Sequence, residues 1–446
     1  MSTQTPKLKI WTAISVVVGC VIGSGVFVKP GRVLVAAGDS NSALLAWTIG
    51  GLISLAGGLT LAEIASRIPK TGGIYVYMEE LYGKTWGFVC GWVQSLIYGP
   101  ALMSALSLYF ASLLGQFIGL SPETSIRPIA LATLLLLAGV SAYSTAYGAI
   151  IQNVTTFIKL IPIILIAAAG MAMGDAPIFD VALSGAVAPT AGMGVAILAT
   201  LWAYDGWVQV ANLAGELENP SKNLPKAIVL GLVGVMAAYL LVNMALFHVV
   251  PVQEIATLNE KTAAVAATTL FGTIGGSALA LGILVSIFGC LNGNILTMTR
   301  VPYAMALRGA FPQAKVFALL HPKLKTPVNS ILLKTSIAML MIVLLNPDRI
   351  TDLAMFIMYL FYASVFFGIV KTRKTYGKPA KGEYKVPLYP VVPAVACAGS
   401  LYICFSMASQ QPVDALISVL IALSGVPMYA LMNRSKVEAP AVVQVP

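Results

Sequence analysis

The chain of 446 residues is 58% hydrophobic and only 10% charged, a composition too apolar for a soluble globular protein. Its formal net charge of +10 would suit a nucleic-acid partner, but the basic residues lie in short segments between long apolar runs, which excludes that function class. These runs are long enough to cross about 30 Å of hydrocarbon. We therefore predict a polytopic membrane protein that is surrounded by the lipid bilayer and binds no nucleic acid.

Hydropathy predicts about twelve membrane-spanning segments, which are helices because lipid offers no partner for backbone polar groups. They begin near Trp11, Ala43, Trp86, Pro128, Ile150, Gly192, Lys226, Gly275, Val328, Thr351, Tyr389 and Val413. The prediction is an all-α chain with a ten-span core at 1–370, a basic loop at 371–388, two further spans at 389–433 and a tail at 434–446.

Lysine and arginine are unequally divided between the segments that connect the spans. With the N-terminus in the cytoplasm, 21 of the 27 basic residues lie on the cytoplasmic side and 5 on the outer side. The positive-inside rule therefore predicts a multi-pass protein of the cell membrane with both termini in the cytoplasm. The residue left over, Lys159, is predicted to be the only basic side chain in the middle of a span.

The first span carries three glycines and a serine in the segment GCVIGSG, residues 19–25. Glycine inside a helix costs roughly 0.5–1 kcal/mol relative to alanine. Either another helix packs closely on this face, or the helix breaks here with Gly19 as a hinge. A break after Val21 exposes carbonyl groups, and a helix that restarts after Gly23, Ser24 and Gly25 exposes amide N–H groups.

The fifth span carries Lys159 in the segment TTFIKLIPIILI. An ammonium group inside the membrane costs at least a few kcal/mol unless it is paired. A lysine can snorkel to the interface, but Lys159 lies about ten residues from either end of its predicted span, which is too deep. We therefore predict a functional role for this residue.

The sixth span contains a second interruption, LWAYDGWVQ, with Gly206 as its hinge and carbonyls near Trp202 and Asp205 exposed. Paired interruptions in two five-helix halves are typical of transporters built from inverted repeats, with the site near the midplane. We therefore predict repeats at about 11–173 and 192–371, with both interruptions unwound. N–H groups on one side and carbonyls on the other suit a zwitterion, and the commonest small zwitterion is an amino acid.

Several segments together resemble the L-type amino acid transporter branch of the amino acid–polyamine–organocation superfamily. They are GCVIGSGVFVKPG, IPKTGGIYVYMEELYG, LWAYDGW, NPSKNLPKAI and VSIFGCLNG. The resemblance implies a five-plus-five inverted repeat with two extra helices. It also implies a sodium-independent antiporter of small neutral L-amino acids such as Ala, Ser, Thr and Cys.

Matched residue by residue, the resemblance also assigns roles at the site. It implies carboxylate contacts at Gly23, Ser24 and Gly25, ammonium contacts at the carbonyls of Val21, Trp202 and Asp205, and closure by the Trp202 ring. The Lys159 amine would stand where sodium-coupled relatives hold sodium, beside carbonyls of the first break and polar groups near Ser286 or Asn292. Tyr239 and Cys290 would face either the cavity or neighbouring helices.

Asp205 departs from many members of this branch, which have glycine there, so its side chain is open to several roles. It can form structural hydrogen bonds, carry protons or recognise a cationic substrate. The rival to the antiporter is therefore a proton-coupled amino acid symporter that uses Lys159 or Asp205.

Other classes of function fit the sequence poorly. An intramembrane hydrolase with the motif G-x-S-x-G would need glycine at Ile22 and Val26, on either side of Ser24. A channel filter would ordinarily come from symmetric repeated loops, which are not visible. The 5 cysteines are spaced for neither metal nor disulfide, and no cofactor is expected. The predicted external loop GQFIGLSPETSIR contains no cysteine, so no disulfide-linked heavy subunit is expected.

Overall fold

The computed structural model describes residues 7–70, 72–183, 192–258, 261–344, 347–380, 382–410 and 412–437. The helices up to residue 173 are α1 (Ile10–Val21), α2 (Gly25–Val28), α3 (Pro30–Ala37), α4 (Ser40–Arg67), α5 (Ile74–Tyr82), α6 (Lys84–Val93), a π-helical segment (Gln94–Tyr98), α7 (Gly99–Phe117), α8 (Pro122–Tyr143) and α9 (Thr145–Met173).

The helices after residue 191 are α10 (Gly192–Ala203), a 3-10 helix (Trp207–Glu216), α11 (Pro220–Val249), α12 (Val252–Leu258), α13 (Thr262–Met298), α14 (Arg300–Leu307), α15 (Ala314–Phe317), α16 (Val328–Leu344), α17 (Pro347–Tyr376), α18 (Val391–Gln410), α19 (Pro412–Leu423) and α20 (Gly425–Val437). The described ranges contain isolated β-bridges but no β-strand, so the prediction of an all-α protein is confirmed.

Ten helical stretches among the described residues are long and apolar enough to cross a membrane. The predicted sixth and ninth spans fall on shorter helices, α10 with 12 residues and α16 with 17. Large apolar side chains on the outside, such as Phe157 (77% exposed) and Ile274 (85% exposed), are stable there because they contact lipid. The protein is a multi-pass membrane protein, while twelve crossings and the inverted repeat stay predictions.

Helix α1 lies at the centre of the fold, where it packs against α9, α11, α13 and the 3-10 helix. Small residues on these neighbours allow the close approach. A Cβ on Gly231 of α11 would lie 2.5 Å from Val17 Cγ1, and one on Gly293 of α13 would lie 2.7 Å from Cys20 Sγ. Such contacts are how helices associate in lipid, where the hydrophobic effect does not drive them together.

Two predicted boundaries fall inside helices. Helix α17 continues to Tyr376, beyond the start of the predicted basic loop at 371, and α20 continues to Val437, into the predicted tail. The rest of that tail, 438–446, lies outside the described residues. Helix α13 contains a kink at Gly272, whose φ is +69°, close to the predicted start of the eighth span near Gly275.

Candidate functional site

The first interruption follows Val21, the last residue of α1. Ile22 leaves the helical conformation with ψ of 87°, and the chain bends before α2 begins at Gly25. Within the part of the chain that the structure describes, the amide N–H groups of Ser24 and Gly25 donate no hydrogen bond. These are unpaired donors of the kind that a helix start offers to an anionic group.

The second interruption separates α10 from the 3-10 helix by a turn that ends at Gly206. Gly206 has φ of +108°, and a Cβ there would lie 2.8 Å from the Cys20 carbonyl oxygen. Gly25 meets the second interruption in a similar way, because its Cβ would lie 2.8 Å from the Cβ of Ala203. The two interruptions therefore touch each other at positions where only glycine fits.

A cavity of about 50 Å³ lies between the two interruptions. One water needs about 10–15 Å³ by the same measure, so there is room for a few small groups. Residues predicted for the site form much of its wall, namely Val21, Gly23, Ser24, Gly25, Trp202, Asp205, Gly206 and Cys290. The wall is completed by Cys20, Leu102, Ala105, Leu106, Tyr109, Ala203, Gln209, Asn294 and Met355.

Tyr239 of α11 connects the carbonyl ends of both interruptions. Its hydroxyl lies 3.1 Å from the Val21 carbonyl oxygen and 3.1 Å from that of Ala203. Its ring packs on Trp47 and Tyr204, so the side chain is fixed. The Val21 carbonyl also accepts from the Gly23 N–H at 2.9 Å, so both of its lone pairs are engaged.

Lys159 of α9 is fully buried and binds the first interruption from the opposite side. Its Nζ donates to the carbonyl oxygens of Gly19 at 2.9 Å and Ile22 at 2.6 Å. The Ser286 hydroxyl of α13 lies 3.0 Å from the same Ile22 oxygen and 2.8 Å from the Gly23 oxygen, and it donates to one of them at a time. The ammonium group thereby replaces the helical partners that these carbonyls lack.

Two other predicted residues, Asn292 and Gly19, lie in a different setting than expected, while Cys290 lies at the cavity, one of the two positions predicted for it. The Asn292 amide donates to the Gly148 carbonyl and to Gln152 Oε1, both on α9 and both at 3.0 Å, and Lys159 is not among its hydrogen-bond partners in the described chain. Gly19 lies inside α1, where a Cβ would collide with the Gln152 side chain, so close packing accounts for this glycine. Cys290 Sγ lies 3.1 Å from the Cys20 carbonyl oxygen, at the cavity.

The prediction that Lys159 is the only basic side chain in the middle of a span is wrong. Lys334, predicted to lie in a cytoplasmic segment, is a fully buried residue of α16. Its Nζ donates to the Gln94 carbonyl oxygen at 2.9 Å. Gln94 begins the π-helical segment, where the ordinary helical pairing of carbonyl groups is disturbed, and hydropathy does not reveal such a segment.

The Asp205 carboxylate is held by two tyrosines that the sequence did not indicate. Tyr98 donates to Oδ2 at 2.8 Å and Tyr362 to Oδ1 at 3.2 Å, and the two hydroxyls lie 3.3 Å apart. Among the described residues, Asp205 forms no ion pair. Its structural role is therefore visible, since it connects the second interruption to α17 and to the π-helical segment.

Two polar layers lie between the cavity and the side where the described chain begins. In the first layer, Gln209 donates to Asn294 Oδ1 at 2.8 Å and accepts from Thr297 at 3.0 Å. In the second layer, Arg300 is 1% exposed and pairs with Glu216 at 2.9 Å. The first layer connects the 3-10 helix with α13, and the second connects it with α14.

The glycine at the second interruption leads to a direct test. We expect Gly206→Ala to lower the predicted amino acid transport at least about ten-fold, because a side chain at this φ costs about 1–2 kcal/mol and its Cβ would meet the Cys20 carbonyl. The measurement is the initial transport rate in liposomes per amount of reconstituted protein. Gly139→Ala is the control, since a Cβ there meets nothing within 4 Å. Equal rates for both variants would contradict the close contact.

Two interrupted helices that face each other across a small buried cavity define a membrane carrier. The chain matches the amino acid permease family over residues 8–431 and belongs to that family. This confirms the resemblance inferred from the motifs and makes the protein a transporter and not an enzyme.

Several relatives match nearly the whole chain. It is 46% identical to the serine/threonine exchanger SteT of Bacillus subtilis, over 95% of this chain and 96% of that protein. It is 30% identical to the human cystine/glutamate transporter, over 95% of this chain and 85% of that protein. It is 32% identical to the mouse large neutral amino acids transporter small subunit 2, over 95% of this chain and 80% of that protein. Each relative is a transporter or exchanger by name.

Proposed function

We propose that this chain exchanges small neutral L-amino acids such as Ala, Ser, Thr and Cys by sodium-independent alternating access. One observation carries the proposal, namely the cavity between the two interruptions. The substrate carboxylate accepts from the N–H groups of Ser24 and Gly25, next to Gly23. The substrate ammonium group donates to the carbonyls of Trp202 and Asp205 and lies beside that of Val21, which already accepts from Tyr239 and from the Gly23 N–H. The name of the 46% identical exchanger supports the same class of substrate.

The size and polarity of the cavity favour a small uncharged side chain. The wall beside α7 is apolar, with Leu102, Ala105 and Leu106. Trp202 is half-buried at the same cavity, and the Lys29 Nζ lies 4.7 Å from the centre of its ring. In the proposal Trp202 closes over the substrate, and this cation–π contact holds the ring in the closed position.

Lys159, Tyr239, Ser286 and Cys290 transmit the change between the two faces in this proposal. All four lie against carbonyl groups of the interruptions, so a shift of either interruption changes their hydrogen bonds. Gly206 is the hinge of the second interruption. The hydrogen-bonded layers at Gln209 and Arg300 support a conformation in which one face is shut.

The orientation and subunit composition belong to the same proposal. The charge distribution supports cytoplasmic termini, which places the Arg300 layer on the cytoplasmic side. The cysteine-free predicted loop between the third and fourth spans supports a carrier that works without a disulfide-linked heavy subunit.

The test uses the purified full-length protein in liposomes. Vesicles are preloaded with unlabelled Ala, Ser, Thr, Leu or Arg, or left empty, and entry of labelled serine is measured with and without sodium. We expect internal Ala, Ser or Thr to accelerate entry at least about ten-fold over empty vesicles, and sodium to have no effect, because the reorientation of an empty carrier is slow.

The rival proposal is a proton-coupled symporter in which Lys159 or Asp205 titrates. An inward proton gradient applied to empty vesicles separates the two. Accumulation of serine above its external concentration, without internal amino acid, would replace exchange by symport. Faster entry with internal Arg than with internal Ala would overturn the neutral substrate class.

A further inference from the structure

A basic hollow lies at the end of α17, far along the chain from the candidate substrate site. It is lined by Val370, Arg373, Lys374, Lys378, Pro379, Lys385, Val386, Pro387, Leu388 and Tyr389. Its volume is about 900 Å³, against about 50 Å³ for the cavity between the interruptions. The proposed transport function uses none of these residues.

The far wall of the basic hollow is held in place by a buried carboxylate. Glu63 is fully buried and accepts from Arg373 Nε and Nη2, each at 2.8 Å, and from the Val386 amide at 2.7 Å. The Arg373 guanidinium also lies 3.7 Å from the centre of the Tyr389 ring. A bidentate ion pair and a cation–π contact make this part of the loop a fixed wall.

The charge of the hollow comes from three exposed lysines, Lys374, Lys378 and Lys385. None of the three forms an ion pair with any acidic side chain that the structure describes. The acidic residues nearby are already engaged, since Glu63 pairs with Arg373 and Glu383 pairs with Arg67 at 2.9 Å. The positive charge of the lysines is therefore uncompensated.

Apolar surface borders the basic hollow. Leu388 of the lining is 77% exposed, and Val391 and Phe367, two and three residues along the chain from the lining residues Tyr389 and Val370, are each 60% exposed. In a multi-pass protein, exposed apolar side chains on membrane-spanning helices contact acyl chains. A ligand at this position therefore meets cationic groups at one end and hydrocarbon at the other.

We propose that the basic hollow binds an anionic phospholipid of the membrane in which the protein lies. Its phosphate group lies among the three lysines, and its acyl chains run along Phe367 and Val391. Basic pockets beside membrane helices bind lipid headgroups in this way, and each basic side chain near an anionic surface adds to the attraction. Free inorganic phosphate has the same charge chemistry but would gain nothing from the apolar border.

The experiment measures lipid that the full-length protein retains when it is extracted from membranes of phosphatidylcholine mixed with phosphatidylglycerol. Native mass spectrometry counts the retained lipids. We expect wild type to keep phosphatidylglycerol selectively, and K374Q/K378Q/K385Q to lose it about ten-fold or more. The matched control is K315Q/K323Q/K325Q, which removes three exposed lysines from the loop around α15. The control should retain the lipid like wild type.

Two results would overturn the proposal. One is an equal loss of retained phosphatidylglycerol in both triple variants, which would mean general attraction of the lipid to basic surfaces and no specific binding site. The other is binding of inorganic phosphate to wild type and not to K374Q/K378Q/K385Q, with no selective retention of phosphatidylglycerol. Neither readout requires transport, so failure here leaves the proposed exchange untouched, and failure of exchange leaves this site untouched.

Discussion

Replacing Lys159 by methionine is expected to lower amino acid exchange at least about 100-fold while the protein still folds. The ammonium group donates to two carbonyls of the first interruption, at 2.9 Å and 2.6 Å. Hydrogen bonds to a charged group contribute about 1.5–3 kcal/mol each, and removal takes the lysine donor from the Gly19 oxygen and leaves the Ile22 oxygen only the Ser286 hydroxyl. The apolar methionine side chain fills a similar space, so the substitution removes the hydrogen bonds and leaves the packing intact. Its main effect is therefore to destabilise the conformation of the first interruption.

The measurement is labelled serine entry into preloaded liposomes, with gel filtration of the detergent-solubilised variant as the test of folding. Ser107→Ala is the control, because Ser107 is equally buried but bonds only to Met103 of its own helix. Lys159→Arg should retain part of the activity, since it keeps a cationic donor in a bulkier shape. Wild-type exchange by a well-folded Lys159→Met variant would remove the lysine from the mechanism.

The sequence predicted those features in which a single residue raises the free energy of the span that contains it. A lysine deep in an apolar run and glycines inside a span are both unfavourable unless something requires them, so Lys159, Gly25 and Gly206 stand out by themselves. The structure places all three at the two interruptions. Their roles in transport remain the proposal made above.

The features that were missed depend on packing between distant segments. Tyr98 and Tyr362 are ordinary residues of apolar spans, and only the fold brings their hydroxyls to Asp205. Lys334 lies near a predicted span end, where a lysine is unremarkable, yet the π-helical segment of another helix supplies its acceptor. Hydropathy measures how long a segment is apolar, and it contains no information on which side chains meet.

Asp205 combines a feature that the sequence predicts with one that it does not. Its position beside a helix interruption can be predicted from the sequence, but its hydrogen-bond partners cannot. The two tyrosine hydroxyls tie it to α17 and to the π-helical segment, which Lys334 in turn contacts through Gln94. A residue that the sequence leaves open between structural and proton-carrying roles therefore has a defined structural role, whichever further role it plays.

Replacing Glu216 by glutamine is expected to open the face of the carrier that the Arg300 layer closes. Arg300 is buried, and its Nη2 also donates to Thr145 at 2.8 Å, so the ion pair joins the 3-10 helix to α14 and α9. The Glu216 side chain is 32% exposed, so losing the pair costs less than the about 3–5 kcal/mol of a fully buried pair, but the buried Arg300 charge is left without its partner. Opening gives Arg300 access to water, so the variant favours the open conformation.

The natural cysteines at the cavity provide the measurement. Cys20 and Cys290 are buried at its wall, and a membrane-impermeant maleimide reaches them only when one face opens. We expect Glu216→Gln to label at least about ten-fold faster from the cytoplasmic side, with slower exchange because return to the closed face is disfavoured. Glu218→Gln is the matched control, since Glu218 is two residues away, exposed and in no ion pair that the structure describes. Faster labelling from the outer side would reverse the assignment of this layer, and unchanged labelling from both sides would show that the pair does not gate the cavity.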